Sequence, residues 1–398
     1  MPRRVHVACA LLAAALGGCS LGDAGEGSGG GRLSVYVSVP TRGPVGVHGR
    51  AIREGADLAL RELGPGGPRP PSLRVRDDTR GGRWSPPAVA DTARRATSNS
   101  AAIAYIGEFE SGATRVSLPI TNEARMVQVS PASTALDLVS PAPGSDEVPE
   151  LVQPSGERTF GRVIPDDEAQ AGAGAAWARR LGARGALLIS DGSEFGDTVA
   201  DEFEEEAVAL GIGVEVGRAR EERSKARARI SAARPDLVYY AGTTDRALPA
   251  LRSVAAAAPG ATIMSTDALL LDRSFLRRAK PFESTLRLTA SAQDPAQLPR
   301  ARGQMFVRRY RERYRREPDP YAAYGYEAMA LVLDLIDRAG DEAGDRTAIV
   351  DELFATSERD SVLGTYTIDE VGNTTLDRIA GYRVRDGRPV FDAALRPP

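Results

Sequence analysis

The stretch 102–138 constrains the fold more than any other part of this chain. An apolar strand is predicted over 103–106, a helical pattern covers 114–124, and a second apolar strand follows over 126–129. Strand, helix and strand at this spacing are typical of a parallel α/β layer. Because the carboxyl ends of parallel strands meet at one edge of a sheet, the turns after both strands are expected side by side, in the crevice where such sheets bind ligands.

Hydroxyl groups are concentrated in these two turns. Ser111 stands where the helix is expected to begin, and residues 130–134 (SPAST) directly follow the second strand. Helix N-termini offer unpaired N–H groups and the positive end of a dipole, which suit a carboxylate or a phosphate. The two turns therefore predict a site for a small anion.

The N-terminus predicts a processing signal rather than folded structure. Two arginines precede an apolar run over 5–16, which is too short to span a bilayer. The LGGC that ends at Cys19 looks like a lipobox, where a bacterial signal peptidase cuts before a diacylated cysteine. We expect a signal peptide over 1–18, lipidation of Cys19, a flexible tether over 19–32 and a lipid anchor on the outer face of the cell membrane. An ordinary secretory signal with an incidental cysteine is the alternative.

The charge balance argues against a nucleic-acid partner. The chain has 51 Lys and Arg against 54 Asp and Glu, so it lacks the basic excess typical of such proteins. The stretch 222–235 looks basic, but no aromatic residues interleave with it, which favours a solvated helix face. After the signal, no run is long and apolar enough to cross a bilayer.

The sequence offers little support for catalysis. Its two histidines are His6, in the signal, and His48, in the first loop, so no His-Cys-Asp set could bind zinc. No G-x-S-x-G elbow supports a Ser-His-Asp arrangement, and His48 is predicted as a loop or cleft-rim residue. The acidic pairs 77–78 and 166–167 are adjacent in sequence, so their side chains are expected to point apart. We expect no enzyme activity, no cofactor and no metal.

After the tether, strands and helices alternate in two halves, which are too large for one simple core and about right for two lobes. The G-x-x-x-S of 107–111 and the S-P-x-x-T of 130–134 resemble the branched-chain amino-acid type of periplasmic binding protein. That family belongs to the type I (Venus-flytrap) substrate-binding proteins of ABC transporters. The PDLVYYAG of 235–242 and two amphipathic helices within 304–338 also resemble it, and the resemblance runs over 33–391.

The resemblance implies an α/β fold of two doubly wound parallel-sheet lobes joined by a hinge of crossing segments. It implies a first lobe over 33–160, a second over 161–288, a return to the first over 289–362 and a second-lobe or closing segment over 363–398. The implied function is that of a lipoprotein that captures a small polar ligand, an amino acid or a related compound, and delivers it to ABC permease and ATPase subunits. A ligand-sensing receptor that feeds a signalling partner is the alternative. The Pro- and acid-rich stretch 137–159 is longer than in relatives and predicts either a solvent loop or a flap over the cleft.

The resemblance implies a carboxylate site in the first lobe. Its groups are the hydroxyls of Ser111 and Thr134 and the N–H groups near Ser111, Ala132 and Thr134, with Ser133 as a further ligand-binding residue. Both hydroxyls could instead cap their helices, which is a frequent use of Ser and Thr.

The second lobe is implied to hold an ammonium group at Asp267, which could instead be a surface N-cap of the helix that begins near residue 269. Phe195 is expected as an aromatic side wall or as a core residue, and Thr243 as a further contact. Phe109 and Glu110 are predicted to line the first-lobe wall. Glu110 departs from the small or apolar residues usual there, because an acid would repel a carboxylate unless it points away or pairs with an arginine. This leaves a polar, basic or polyamine-like ligand open.

Overall fold

The computed structural model describes residues 32–64, 70–141, 145, 147–218, 232 and 234–398. The predicted signal peptide, Cys19, the tether up to residue 31 and most of the basic stretch 222–235 lie outside these residues. The chain from Arg32 to Pro398 forms one compact unit. Among the described helices, none is long and apolar enough to cross a membrane.

The first half of the chain alternates strands and helices. In order, its elements are β1 (Ser34–Val39), α1 (Gly46–Leu63), β2 (Ser72–Asp77), β3 (Thr79–Arg80), β4 (Arg83–Trp84), α2 (Pro86–Thr97), β5 (Ala102–Ile106), α3 (Ser111–Glu123), β6 (Val127–Ser130), a 3-10 turn (Leu136–Leu138) and β7 (Phe160–Arg162). Within the described residues, the first lobe is built on a five-stranded parallel sheet in the order β2-β1-β5-β6-β7. Strands β1 and β5 are buried at every position, because helices cover both faces of the sheet.

The second half repeats this alternation and adds a C-terminal hairpin. Its elements are α4 (Asp167–Arg180), β8 (Gly185–Ser190), α5 (Glu194–Ala209), β9 (Gly213–Arg218), β10 (Leu237–Ala241), α6 (Thr244–Ala257), β11 (Thr262–Ser265), α7 (Asp267–Leu270), α8 (Arg273–Arg278), β12 (Leu286–Ala290), α9 (Arg302–Tyr314), α10 (Pro320–Ala339), α11 (Arg346–Phe354), β13 (Arg359–Asp360), β14 (Thr365–Tyr366), β15 (Ile379–Arg385) and β16 (Arg388–Leu395), with 3-10 turns at Lys280–Phe282, Pro295–Gln297 and Gly340–Glu342. In the described part of the chain, the second lobe is built on a seven-stranded sheet in the order β16-β15-β12-β11-β10-β8-β9. Strands β8 to β12 are parallel, and β15 and β16 extend the sheet as an antiparallel pair.

The chain crosses between the lobes at three places within the described residues. The first-lobe core gives way to a second-lobe core within 164–171 and again within 376–379, and the chain returns from the second lobe to the first within 290–292. Two doubly wound sheets joined by crossing segments are the fold class that the sequence predicts. The predicted lobe boundaries stay predictions, but β7 pairs with the first sheet, and Leu363 and Tyr366 pack in the first-lobe core.

Helix α1 begins at Gly46, within the stretch that the sequence predicts as the first loop. Gly46 and Gly49 lower the helix propensity of its first turn, and this obscures the true start in the sequence. The glycine is needed at 49, because a Cβ there would lie 1.9 Å from the carbonyl oxygen of Pro40. His48 therefore lies in the first turn of α1 and not in a loop.

Candidate ligand-binding cleft

A cavity of about 610 Å³ lies between the two lobes, at the carboxyl ends of strands from both sheets. Strand β5 pairs in parallel with β6, so the two hydroxyl-rich turns lie at one edge, as predicted. This is the crevice in which doubly wound sheets bind ligands. The cavity lining includes these predicted site residues: Phe109, Glu110, Ser111, Ala132, Thr134, Phe195, Thr243 and Asp267.

Ser111, the first residue of helix α3, links the two strand-end turns. Its Oγ accepts hydrogen bonds from the N–H groups of Thr134 and Ala135, both at 3.2 Å. The N-cap position belongs to Glu110, so Ser111 does not cap its own helix. A hydroxyl that accepts two hydrogen bonds still has its proton to donate. The N–H groups of Ser111 and Gly112 have no acceptor inside the helix, so this wall offers several donors to an anion.

The turn after β6 is held together by its own hydroxyl groups. Ser130 Oγ accepts hydrogen bonds from the N–H groups of Ala132 at 3.2 Å and Ser133 at 2.9 Å. The Ser133 side chain is fully buried, and its hydroxyl bonds to Thr114 Oγ1 at 2.6 Å. Ser133 thus lies behind the cavity wall, and both N–H groups are engaged within the turn. The turn residues that line the cavity are Ala132 and Thr134, and the Thr134 side chain also hydrogen-bonds to Asp167.

Asp267 lies on the opposite wall, as the first residue of α7. Thr266 is the N-cap of this helix and accepts a hydrogen bond from the N–H of Ala268 at 3.4 Å, so the surface N-cap alternative for Asp267 is wrong. The Asp267 carboxylate lies 3.4 Å from both Gln170 Nε2 and the Tyr321 hydroxyl. Burial raises the pKa of Asp267 to about 6, although these two hydrogen bonds oppose the rise.

Asp167, the first residue of α4, is a cavity residue that sequence reasoning missed. It is 4% exposed and lines the cavity. The adjacent Asp166 caps the helix by accepting a hydrogen bond from the N–H of Ala169 at 3.0 Å. The Asp166 carboxylate therefore stabilises the helix, whereas Asp167 borders the cavity. Burial raises the pKa of Asp167 to about 7, and the charge of Asp267 adds to the rise. The signal in the sequence was an acidic residue directly after a helix cap, where the chain enters the second lobe.

Helix α5 presents a row of acids to the same cavity. Asp201, Glu202 and Glu205 all line it. Burial raises the pKa of Glu202 to about 7, and the charges of Glu168 and Glu205 add to the rise. Phe195, at the start of this helix, lines the cavity and also packs partly against the core of the second lobe. It therefore has both of the positions considered for it, the aromatic side wall and the core.

Thr243 follows β10 and lines the cavity, but its hydroxyl has a protein partner. Its N–H and its Oγ1 both donate to Asp191 Oδ2, at 2.9 Å and 3.2 Å. Together with bonds from Ser193, they hold the pKa of Asp191 below its usual range, although burial acts in the opposite direction. The methyl group of Thr243 rather than its hydroxyl is therefore available to a ligand.

Aromatic side chains stiffen the inner wall. The rings of Phe109 and Tyr321 meet edge to face, with centroids 5.0 Å apart. His48 stacks on Phe109 at 6.0 Å, and its Nδ1 lies 2.9 Å from Asp319 Oδ2. His48 thus supports the aromatic wall from behind, in place of the predicted loop or rim position. Tyr321, a second cavity residue that sequence reasoning missed, lies in the first turn of α10.

Glu110 faces the cavity, and among the described contacts no arginine forms an ion pair with it. Burial raises the pKa of Glu110, while the indole N–H of Trp84 and the charge of Arg83 oppose the rise. The hairpin of β3 and β4 carries Trp84 to this position. Beyond Trp84, Phe109 and Glu110, the cleft opens into an outer cavity of about 900 Å³.

The start of the stretch 137–159 reaches the cavity of about 610 Å³ between the lobes, which we call the inner cavity. Asp137, Ser140 and Pro141 line it, and Asp137 accepts two hydrogen bonds from the guanidinium of Arg115, at 2.6 Å and 2.8 Å. Farther along, Leu151 is 93% exposed. One end of the stretch therefore lies at the cleft, and its role as a solvent loop or a flap stays a prediction.

The sequence and the fold both match known proteins. A sequence model described as periplasmic binding protein matches residues 35–388. A curated relative, the Leu/Ile/Val-binding protein homolog 1 of Brucella suis, is 23% identical over 362 residues, which cover 89% of this chain and 90% of that protein.

Solved structures share the fold at low identity. A leucine-binding protein from Thermotoga maritima superposes with a TM-score of 0.71 and 24% identity, covering 92% of this chain and 99% of that one. A solute-binding protein of an ABC transporter from R. palustris, in complex with benzoate, gives a TM-score of 0.68 and 20% identity, covering 92% of this chain and 97% of that one. Since leucine and benzoate differ in charge and shape, this fold does not by itself specify a solute.

Proposed function

Since this chain belongs to the periplasmic binding protein family, we propose that it captures a small polar solute, an amino acid or a related compound, and delivers it to an ABC permease. The family and the fold are those of substrate-binding proteins rather than enzymes. The observation that carries the proposal is that Ser111 and Asp267, from opposite lobes, line one cavity of about 610 Å³. A hydroxyl donor and a facing carboxylate match the two charged ends of an amino acid.

In this proposal the solute first binds the wall of the first lobe. The hydroxyls of Ser111 and Thr134 and the first-turn N–H groups of α3 receive its carboxylate. Asp267 and Asp167 receive its ammonium group, because a buried carboxylate is costly unless it is paired. The crossing segments at 164–171, 290–292 and 376–379 then act as the hinge that closes the lobes over the solute.

The remaining lining residues shape the pocket around the rest of the solute. Phe109 and Phe195 supply apolar walls, Ala132 and Thr243 supply small apolar groups, and Glu110 supplies a further acid. The names of the similar proteins, Leu/Ile/Val-binding and leucine-binding, support an amino-acid-like solute. The benzoate-bound protein from R. palustris is described as the solute-binding protein of an ABC transporter, which supports a permease and its ATPase as partners.

The proposal includes a lipid anchor at Cys19. The LGGC pattern and the Gly- and Ser-rich tether would hold the binding domain against the outer face of the cell membrane. Mass spectrometry of the mature N-terminus, with membrane fractionation, tests this. We expect a diacylated Cys19 in the membrane fraction and its loss in Cys19→Ser. A wild-type protein recovered without lipid in the soluble fraction would contradict the anchor.

The binding test uses residues 32–398 and a panel of amino acids, amides, polyamines, sugars and nucleosides. A specific solute at a hundred times its dissociation constant should stabilise the fold by about 2.7 kcal/mol in a thermal-shift measurement. Ser111→Ala and Asp267→Asn should both lose affinity for that solute by calorimetry. The exposed residues Ser357 and Asp341 provide matched controls as Ser357→Ala and Asp341→Asn, which should bind like the wild type.

Two further results separate the possible failures. A solute whose affinity survives both cleft substitutions would overturn the site, and no binding by any member of the panel would overturn the solute class. Uptake of the bound solute by cells with and without the gene tests delivery. Unchanged uptake, with a changed transcriptional response to the solute, would favour the sensing alternative.

A further inference from the structure

The inner cavity carries far more negative than positive charge. Within the described residues its lining includes seven acids and one arginine: Glu110, Asp137, Asp167, Asp201, Glu202, Glu205, Asp267 and Arg115. The arginine is already engaged, because its guanidinium binds Asp137 through two hydrogen bonds of 2.6 Å and 2.8 Å. Six acids therefore remain to face a solute.

A neutral amino acid would leave most of these acids without a counter-charge. Its single ammonium group can neutralise Asp267 and part of the charge of Asp167, while its carboxylate would add to the negative potential of the cavity. The acids already affect one another, since the charge of Asp267 raises the pKa of Asp167, and those of Asp201 and Glu205 raise the pKa of Glu202. Like charges in a partly desolvated cleft favour a ligand that brings positive charge.

Asp167 adds a buried carboxylate to this wall, and its side-chain hydrogen-bond partner is the neutral Thr134. It is 96% buried, from an exposed fraction of 4%, and it borders the cavity. In the described part of the chain it forms no ion pair, because the nearby Arg162 binds Asp166 instead, at 3.2 Å. A buried carboxylate without a cationic partner is costly, and a bound ammonium group would remove that cost.

Resting on the proposed function, we propose that the solute is a small organic cation with two amino or guanidino groups. Asp167 and Asp267 hold one of these groups, and the α5 acids Asp201, Glu202 and Glu205 hold the other. A basic amino acid and a diamine share this chemistry, and they differ in the carboxylate that Ser111 would receive.

The walls of the cavity suit an organic cation better than a metal ion. Among the described residues, no three His, Cys, Asp or Glu side chains converge closely enough to hold a metal. The aromatic rings of Phe109, Phe195 and Tyr321 line the space that the acids border. Aromatic faces attract ammonium and guanidinium groups and also pack against the methylene chain between them.

The test compares probes of nearly equal shape and different charge. Lysine is paired with norleucine, arginine with citrulline, and cadaverine with pentylamine, each measured by calorimetry on residues 32–398. In at least one pair the dication or basic amino acid should bind at least about tenfold more tightly than its less charged partner. Binding of lysine or arginine without cadaverine identifies a basic amino acid, and the reverse identifies a diamine.

Substitutions on one helix then locate the second charge site. Glu202→Gln and Glu205→Gln should each weaken the charged probe several-fold and leave norleucine or citrulline unchanged. Glu204, on the same helix but outside the cavity lining, gives the control Glu204→Gln, which should not change either affinity.

Each negative result contradicts a different part of the proposal. Equal or tighter binding of the less charged partner overturns this inference and leaves the proposed function standing. Tight binding of a charged probe that is insensitive to both α5 substitutions overturns the assignment of the second site. If none of the probes binds, both the proposed dication and the proposed amino-acid-like solute are overturned.

Discussion

Gly55 and Ala322 bring helices α1 and α10 into backbone contact: a Cβ on Gly55 would lie 2.0 Å from the carbonyl oxygen of Ala322. Gly325 repeats the arrangement from the other helix, since a Cβ there would lie 2.2 Å from the carbonyl oxygen of Ile52. Two glycines thus allow the helices to cross closely on the first lobe. Because α1 carries His48 and α10 carries Tyr321, this crossing also positions the aromatic wall of the cleft.

We expect Gly55→Ala and Gly325→Ala each to lower the free energy of unfolding by about 1–3 kcal/mol, because the added methyl group meets backbone that cannot rotate away. Urea denaturation measures the change. Gly344→Ala is the control, since a Cβ there meets nothing within 4 Å, and it should stay within about 0.5 kcal/mol of the wild type. A Gly55→Ala protein as stable as the control would contradict the close crossing.

Glu327 anchors the segment of β13 and β14 to helix α10. It is 1% exposed, its Oε1 lies 2.8 Å from Arg359 Nε, and it accepts a hydrogen bond from the Tyr366 hydroxyl at 3.0 Å. Arg359 also reaches Asp334, whose side chain is 39% exposed, at 2.8 Å. The ion pair is therefore buried at one end and solvated at the other.

This asymmetry predicts different costs for removing each acid. Glu327→Ala should destabilise the protein by about 3–5 kcal/mol, because it leaves the Arg359 charge without its buried partner. Asp334→Asn should cost less than about 1 kcal/mol, as is usual for a solvated pair. Denaturation of the two variants side by side measures the difference. Equal costs would show that the pair is not buried in solution.

The pKa values of Asp167 and Asp267 predict a pH dependence of solute binding. Burial raises them to about 7 and about 6. The groups that face Asp167 are Thr134, Asp267, Arg162 and Asp166, and those that face Asp267 are Gln170 and Tyr321. Both carboxyl groups must be ionised to hold an ammonium group. The affinity for a cationic probe should therefore fall by at least about tenfold between pH 8 and pH 5.

Calorimetry across this pH range provides the check. Asp167→Asn should flatten the profile, because it removes the group with the higher pKa, whereas the exposed control Asp341→Asn should keep it. A wild-type affinity that is constant from pH 8 to pH 5 would show that these acids do not titrate on binding.

The turns at the sheet edges could be predicted because they follow short apolar strands. A residue that directly follows a parallel strand lies at the ligand edge, and this rule found the first-lobe turns. Asp267 also follows a strand, but the family resemblance suggested its role. The order of strands and helices could also be predicted, since it depends on hydrophobic periodicity and on turn residues within short stretches of sequence. These signals do not depend on contacts between residues that are distant in the sequence.

The residues that were missed or misplaced depend on less local features. Tyr321 stands in the first turn of α10, which follows no strand, and Asp167 stands in the first turn of α4, after the strand β7, whose three residues are too few to show a hydrophobic period. Their place in the cavity results from the way the lobes are joined. Ser133 lies inside the wall because the turn folds around the hydroxyl of Ser130, so that its side chain meets Thr114. The spacing of hydroxyls along the chain does not reveal which of them turns inward.

A pair of buried acids lies beneath the first-lobe wall. Asp78 is 1% exposed and Glu108 is fully buried, and in the described residues neither forms an ion pair. Burial raises the pKa of Asp78, and the charges of Glu108, Asp77 and Glu110 add to the rise. Burial also raises the pKa of Glu108, although the Tyr105 hydroxyl, which donates to its Oε1 at 2.5 Å, opposes the rise.

This pair predicts that the fold loses stability as the pH rises. The folded state keeps protons that the unfolded chain releases above about pH 4, so the stabilisation is complete in acid and is lost through the raised pKa values. Asp78→Asn removes one titrating group, and its free energy of unfolding should therefore fall less than that of the wild type between pH 5 and pH 9. The difference should reach at least about 1.4 kcal/mol, the free energy of a tenfold change in proton affinity. Urea denaturation at both pH values measures it, with Asp341→Asn expected to parallel the wild type. Parallel curves for Asp78→Asn would show that the buried pair holds no proton in this range.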